Sequence, residues 1–282
     1  MPRVCILTDS TAQFPHPGFP GHELVNVIPL RANLGGTLYP DARAVKLSQL
    51  PASADDALSP QVLPPSSESF RQLLISLGRS YTDIIVILLS NELVPAVEQA
   101  QVAVDSTSIA ARVVILDSHT TSAGLGLLVE TAASAAQSGE PAAEILRTLR
   151  VLIPHIYTLF CVQSLSYLAH SGKIDPAQAV VGEMLGLLPF LTLENGLLTP
   201  LQKARNTRHL IDYLLEFLAE FSHLRHVALL QGLPVMTSES RIVRERIQEF
   251  IPGIPFTEHA LGDGLAALLG PRSLSLVVME QT

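Results

Sequence analysis

Apolar residues fall into two rhythms along the first half of the chain. Residues 4–7, 84–89 and 113–116 are unbroken apolar runs. Each is closed by small polar residues: Thr8-Asp9-Ser10-Thr11, Ser90-Asn91 and Asp117-Ser118. Runs without polar alternation fit strands covered on both faces, as in a parallel sheet. Between them, residues 67–77, 93–109 and 122–137 are helical candidates. Residues 24–30 read as a further strand with Pro29 near its end, and Gly35-Gly36 makes the turn that follows. Strand and helix in alternation predict a doubly wound α/β layer. Residues 40–66 break the rhythm. They are rich in Pro, Ala, Ser and Asp, with Pro51, Pro60, Pro64 and Pro65. They read as a surface excursion with one helical turn.

The second half begins after a helix near 142–152, which Pro154 follows as a stop signal. Residues 156–162 read as a strand and two short helices follow. Strands near 187–193 and 197–201 are joined by Glu194-Asn195-Gly196, a hairpin signal. The clearest helix runs over about 205–222. Asp212, Glu216 and Glu220 recur every fourth position, while Leu210, Ile211, Leu214, Leu215, Leu218 and Phe221 fill the other side. Strands at 226–230, 254–257 and 274–279 and a helix at 238–250 complete the pattern, with no repeat at a fixed period. Two α/β domains are expected, at 1–150 and 151–282. Clefts between such domains are common ligand sites.

Composition narrows the function classes. The chain has 282 residues, 48% of them hydrophobic, with a mean hydropathy of +0.35. That leaves material for a core and an internal apolar pocket, although an aliphatic-rich α/β core alone would account for it. A net charge of −8 argues against nucleic acid and against a polybasic membrane surface. No apolar stretch reaches membrane-spanning length. The first residues already look like a strand, with no signal peptide before them. Cys5 and Cys161 lie in apolar runs without metal or redox spacing and are expected as buried free thiols in a cytoplasmic protein.

In open parallel sheets, ligands bind beyond the carboxyl ends of the strands. Three such ends carry hydroxyls, which with helix N-terminal amides could hold an anion. The same residues are good helix caps, so each cluster has a structural reading too. His259, in a glycine-bearing loop after a strand, could donate to an oxyanion or could be one of nine surface histidines. Lys203, Arg205 and Arg208 gather at the start of the 205–222 helix, where cations oppose the helix dipole. That placement points to a partner or ligand, against the alternative of a solvated face. Enzyme signatures are missing: there is no HExxH, GxSxG or Walker A. Gly172-Lys173 lacks the upstream glycine of a P-loop, and Gly124-Leu-Gly126 is an incomplete dinucleotide fingerprint. No group has metal-ligand spacing. No cofactor or catalytic residue is expected, and a binding protein is favoured. An enzyme using the Asp117–Ser122 helix start as a phosphate nest is the lesser alternative.

The whole chain resembles the DegV family of bacterial fatty-acid-binding proteins. The matches run in order: Thr8-Asp9-Ser10-Thr11; Ile28-Pro29-Leu30, Gly35-Gly36 and Tyr39-Pro40-Asp41; Asp117-Ser118 with Gly124-Leu125-Gly126; Ser164-Leu165, Tyr167-Leu168, Ser171-Gly172-Lys173-Ile174 and Pro189; then Asn195-Gly196 and Lys203-Ala204-Arg205. The resemblance implies an N-terminal parallel-sheet, three-layer domain, a C-terminal mixed-sheet domain and a long-chain fatty acid between them. It also implies a carrier that presents the acyl chain to a separate fatty-acid kinase.

The chain departs from the family where the carboxylate would sit. The Thr of the family's Thr-Ser-x-Pro-Ser falls on Val62, and its Ser-Gly-Thr falls on Val94-Pro95-Ala96. His-x-Gly-Pro-Gly survives as His259-Ala-Leu-Gly262-Asp-Gly264. Burying a carboxylate without donors costs on the order of several kcal/mol. The expected head-group ligands are therefore drawn from Ser10, Ser66, Ser90, Ser118, Thr121 and His259. Lys203, Arg205 and Arg208 are expected to dock the kinase. The alternative is a divergent member that binds a neutral lipid or acts as a regulatory partner.

Overall fold

Among the described residues, three sheets organise the chain. The computed structural model describes residues 3–54, 60–233 and 237–281. The first half supplies β1 (Val4–Asp9), β2 (Val25–Ile28), β3 (Arg31–Leu34), β4 (Thr37–Tyr39), β5 (Gln61–Leu63), α1 (Ser67–Leu77), β6 (Asp83–Leu88), α2 (Ala96–Asp105), β7 (Arg112–Asp117), α3 (Ser122–Gln137) and α4 (Ala142–Leu152). The second half supplies β8 (Ile156–Cys161), α5 (Leu165–His170), α6 (Pro176–Met184), β9 (Leu188–Glu194), β10 (Leu197–Ala204), α7 (Thr207–Ala219), β11 (Leu224–Gln231), α8 (Thr237–Phe250), β12 (Phe256–Ala260), α9 (Asp263–Leu269) and β13 (Leu274–Glu280).

The apolar runs form the all-parallel sheet β2-β1-β6-β7. β1 is buried throughout and β6 from its second residue on, which is why neither shows polar alternation. Strands of the second half form the mixed sheet β10-β9-β8-β13-β11-β12, with only β11 and β12 parallel. The chain is thus α/β with two domains on separate sheets. At the β9–β10 hairpin, Asn195 and Gly196 have φ of 50° and 85°, the left-handed pair that this turn requires.

Helix α3 lies between the two sheets and touches β1, β6, β8 and β13. Its residues are small because the approach is close: a side chain on Gly126 would meet the Gln13 carbonyl at 1.9 Å. One apolar core joins Ile6, Ile85 and Leu128 to Phe160, Leu230 and Val277. A second lies on the other side of the mixed sheet, where Leu214, Phe217 and Ile247 cover Leu159, Leu229 and Val278.

The described part of 40–66 is not a surface excursion. Ala42, Val45, Leu50 and Ala54 are buried, and β5 pairs with β3 to close the antiparallel sheet β4-β3-β5. What covers it is α9, a short helix that the periodicity did not mark and that packs on β5. Two helices are shorter than their apolar pattern. α2 starts only after Pro95, whose missing N–H and fixed φ suit a helix start and not its interior. α7 starts at the Asn206 cap, whose side chain accepts from the His209 N–H. Cys5 and Cys161 are free and buried, and burial pushes both thiols up to about 12. No helix among the described residues is long and apolar enough to cross a membrane.

Candidate functional site

Strand order in the parallel sheet reverses between β1 and β6, the place where such sheets open toward a ligand. Here Asp9 closes it. Its Oδ1 accepts from the Thr11 N–H (2.9 Å) and the Thr11 hydroxyl (2.6 Å), and its Oδ2 accepts from the Leu89 N–H at the end of β6 (2.7 Å). Complete burial raises the carboxyl above its ordinary range, against the pull of those three hydrogen bonds.

The neighbouring hydroxyls are engaged in the same way. Ser10 Oγ accepts from the Leu30 N–H (3.0 Å), tying β1 to the segment after β2. Ser90 donates to the Gly196 carbonyl (2.7 Å), so the β9–β10 turn of the mixed sheet rests on the end of β6. Ser118 donates to the Thr120 carbonyl (3.2 Å). Ser66 caps α1 by accepting from the Ser69 N–H (3.1 Å), and its hydroxyl also pairs with that of Ser69. Thr120 reaches across to Thr158 of β8, hydroxyl to hydroxyl at 3.1 Å.

Thr121 and His259 differ from the other four expected ligands. Thr121 precedes α3 in the cap position, yet its hydroxyl makes no capping bond, is fully buried and has no partner. His119 and Ser122, two of the non-glycine residues with positive φ, flank the segment at 51° and 56°. Strained backbone of this kind is held by its surroundings and gathers at sites. His259 lies within β12, paired with Leu230 of β11, and not in the loop expected after a strand; its Nε2 is buried and unpartnered too. Burial lowers the basicity of its ring, while Glu130 and Glu258 pull the other way.

Gln13 bridges these two positions and was missed from sequence. Its backbone N–H donates to the Ser122 carbonyl (3.1 Å), its Oε1 accepts from the Ser122 hydroxyl (2.5 Å), and its Nε2 donates to the Ala260 carbonyl (2.7 Å). A lone Gln after a strand end carries no signal that could have found it. The loop at Gly262–Gly264 then passes over Gln13 and Thr11.

Val62 and Val94, the two positions expected to lack a head-group hydroxyl, lie in different segments. Val94 is buried and its N–H donates to the Ser90 carbonyl (3.2 Å); Val62 sits half-buried on β5, paired with Ala32. Lys173, in the Ser-Gly-Lys-Ile turn, donates its Nζ to the Glu92 carbonyl, so α5 is tied to this same loop. Burial lowers its ammonium below the ordinary range.

Lys203, Arg205 and Arg208 are exposed and have no ion pair among the described residues. They span the end of β10, the turn and the first turn of α7, so only Arg208 lies on the helix itself. No group of three or more His, Cys, Asp or Glu residues fit to hold a metal occurs among the described residues.

A family model described as "Uncharacterised protein, DegV family" matches residues 3–281. A DegV domain-containing protein of Streptomyces coelicolor is 27% identical over 281 residues, 99% of each chain. Among solved structures, a DegV family protein from Thermus thermophilus described as fatty-acid binding superposes with a TM-score of 0.81 at 24% identity, covering 99% of this chain and 100% of its own. The Streptococcus pneumoniae fatty acid kinase (Fak) B3 protein, loaded with linoleic acid, superposes at 0.83 with 16% identity over 99% of each.

Proposed function

The chain belongs to the DegV family, and on that premise we propose that it binds a long-chain fatty acid between its two domains. The observation that carries the reading is the match of fold over essentially the whole chain to proteins described as binding fatty acids. The site geometry supports it. Thr121 Oγ1 and His259 Nε2 are the two expected ligands whose polar atoms remain unpartnered, and Leu125 and Leu261, a few residues further along the chain, belong to the apolar core. A hydroxyl and a neutral imidazole can each donate to a carboxylate. Ser10, Ser66, Ser90 and Ser118 are already bonded within the protein, so they act in this reading as the frame of the site.

The acyl chain supplies affinity by leaving water, at roughly 25 cal/mol per Å² of apolar area buried. The protein itself does no covalent chemistry. Asp9, Ser90 and Ser118 hold the strand ends together and none is paired as nucleophile and base. Lys203, Arg205 and Arg208 form the docking patch for a separate fatty-acid kinase. The domains divide at 1–150 and 151–282, with the cut in the last turn of α4. The protein works in the cytoplasm, as two buried free thiols befit.

Native mass spectrometry of the purified protein, followed by solvent extraction and lipid analysis, tests the reading. A near-stoichiometric fatty acid is expected. An empty protein that takes up no added fatty acid would overturn it. Val62 and Val94 favour a second reading, in which the head group is neutral. Installing Val62→Thr and Val94→Ser raises fatty-acid affinity under the first reading. Under the second, a neutral lipid is extracted instead.

A further inference from the structure

One group of side chains adjoins the site just described, with only His259 acting on both. Glu130 is the one charged residue of α3, a helix otherwise made of small, apolar and hydroxyl residues up to its last, Gln137, and it is nearly buried. Both of its oxygens are taken by His16, from the segment after β1: Oε1 accepts the His16 backbone N–H (2.9 Å) and Oε2 lies 2.7 Å from its Nδ1. The His16 ring stands edge-on to His226 of β11, with centroids 5.1 Å apart. His226 is 3% exposed, and its Nε2 lies 3.0 Å from the Thr257 hydroxyl of β12. The group lines an open pocket of about 660 Å³ between α3 and the mixed sheet, together with Phe19, Leu127, Arg225 and Met279.

We propose that this seam is an acid-sensitive latch: a proton on His226 adds a buried positive charge that no carboxylate bonds, and the Gln13–His16 segment, which Glu130 ties to α3, then parts from β11 and β12. The groups acting on His226 are His16 from the β1 loop, His259 from β12 and Arg225 from its own strand, while Glu130 of α3 and Glu258 of β12 act on His259. Glu258 lies in the strand between Thr257 and His259 and is turned to Gln231 and Arg244, so it does not answer the new charge. Thr257 can accept from a protonated ring but brings no counter-charge. His226 thus meets two other rings and a guanidinium, and its one hydrogen-bond partner among the described residues is the neutral Thr257 hydroxyl.

Burial, His16, His259 and Arg225 together hold the His226 ring down to about 4. The sign follows from that direction. The folded protein keeps the ring neutral and the unfolded chain does not, so the unfolded chain binds more protons in between. The stability contributed by the neutral ring is complete above about 6.5 and is lost as pH falls from there toward about 4. Between about pH 7 and about pH 5 the folding constant should fall roughly 20-fold on account of this one group. The bonds of the latch itself, His16 to Glu130 and His226 to Thr257, include no head-group donor, so the latch is tested on lipid-free protein.

Three measurements on the full chain test it. In the wild type, the Cε1–H resonance of His226 should stay at its neutral position down to about pH 5; titration near its ordinary value would overturn the proposal. Urea midpoints measured at the two pH values should show the fall in the wild type and lose most of it in His226→Gln, which keeps an amide donor for Thr257. An unchanged pH dependence in that variant would also overturn it. If the variant does not fold, the resonance of the wild type decides. Hydrogen exchange at acid pH should rise first in residues 13–16, 127–134 and 256–260. A uniform rise along the chain would show acid destabilisation without a latch and sink the inference.

Discussion

The ends of the parallel strands and the seam beside α3 are both buried and polar, and they treat their polar groups in opposite ways. At the strand ends, the side chains of Asp9, Ser10, Ser90 and Ser118 are all bonded to groups within the protein. At the seam, Thr121 Oγ1 and His259 Nε2 have no partner. Nearby, His16 takes both oxygens of Glu130 while its ring stands against that of His226. A bonded buried group adds rigidity, whereas an unbonded one costs stability that a ligand can restore. The frame is therefore the strand ends, and the responsive part is the seam.

The largest test of that contrast is Asp9→Ala. It leaves the N–H groups of Thr11 and Leu89 and the Thr11 hydroxyl without their acceptor. Buried donors left unsatisfied cost about 1–3 kcal/mol each before relaxation, so a loss of at least about 3 kcal/mol is expected in urea unfolding. A loss under about 1 kcal/mol would mean that Asp9 does not bind β1 to β6.

Ser90→Ala comes next. It removes the donor to the Gly196 carbonyl, and with it the bond between the end of β6 and the mixed-sheet hairpin. A loss of about 1–2 kcal/mol is expected. Hydrogen exchange should rise at 195–197 and leave β1 unchanged, because the Asp9 bonds remain. Ser66→Ala should cost about 1 kcal/mol as the loss of an ordinary helix cap, with fatty-acid affinity unchanged. A fall in affinity there would move Ser66 from the frame to the site.

Residue pattern disclosed the layers because the strands of the parallel sheet are buried on both faces, and burial on both faces writes an unbroken apolar run. The sheet β4-β3-β5 escaped for the converse reason. Arg31–Leu34, Thr37–Tyr39 and Gln61–Leu63 are short and half-exposed, and their cover comes from α9, about 200 residues later in the chain. Asn195-Gly196 announces a turn by its backbone needs alone, but nothing local says that the turn will dock on Ser90. His226 reads as an ordinary strand histidine and His259 as a loop one until β11 and β12 pair in parallel and bring them within electrostatic reach of each other. The one local signal was Glu130, a lone charge in an otherwise uncharged helix. What sequence expressed was the demand of each segment for burial. What it withheld was the identity of the partner that satisfies each polar group.

The smallest effect on stability is the most discriminating. Thr121→Val keeps the shape of the side chain and deletes a hydroxyl that has no partner. Replacing an unsatisfied buried hydroxyl by a methyl removes a desolvation penalty, so the unliganded protein should be unchanged or stabilised by up to about 1 kcal/mol. If that hydroxyl donates to a fatty-acid carboxylate, the same substitution should weaken binding roughly tenfold, the worth of one hydrogen bond to a charged group. The strand-end variants lose stability, whereas this one loses affinity without losing stability. Titration calorimetry with a long-chain fatty acid, run beside urea unfolding, separates the two. Affinity held at the wild-type level would leave His259 as the head-group donor of the pair and return Thr121 to the core.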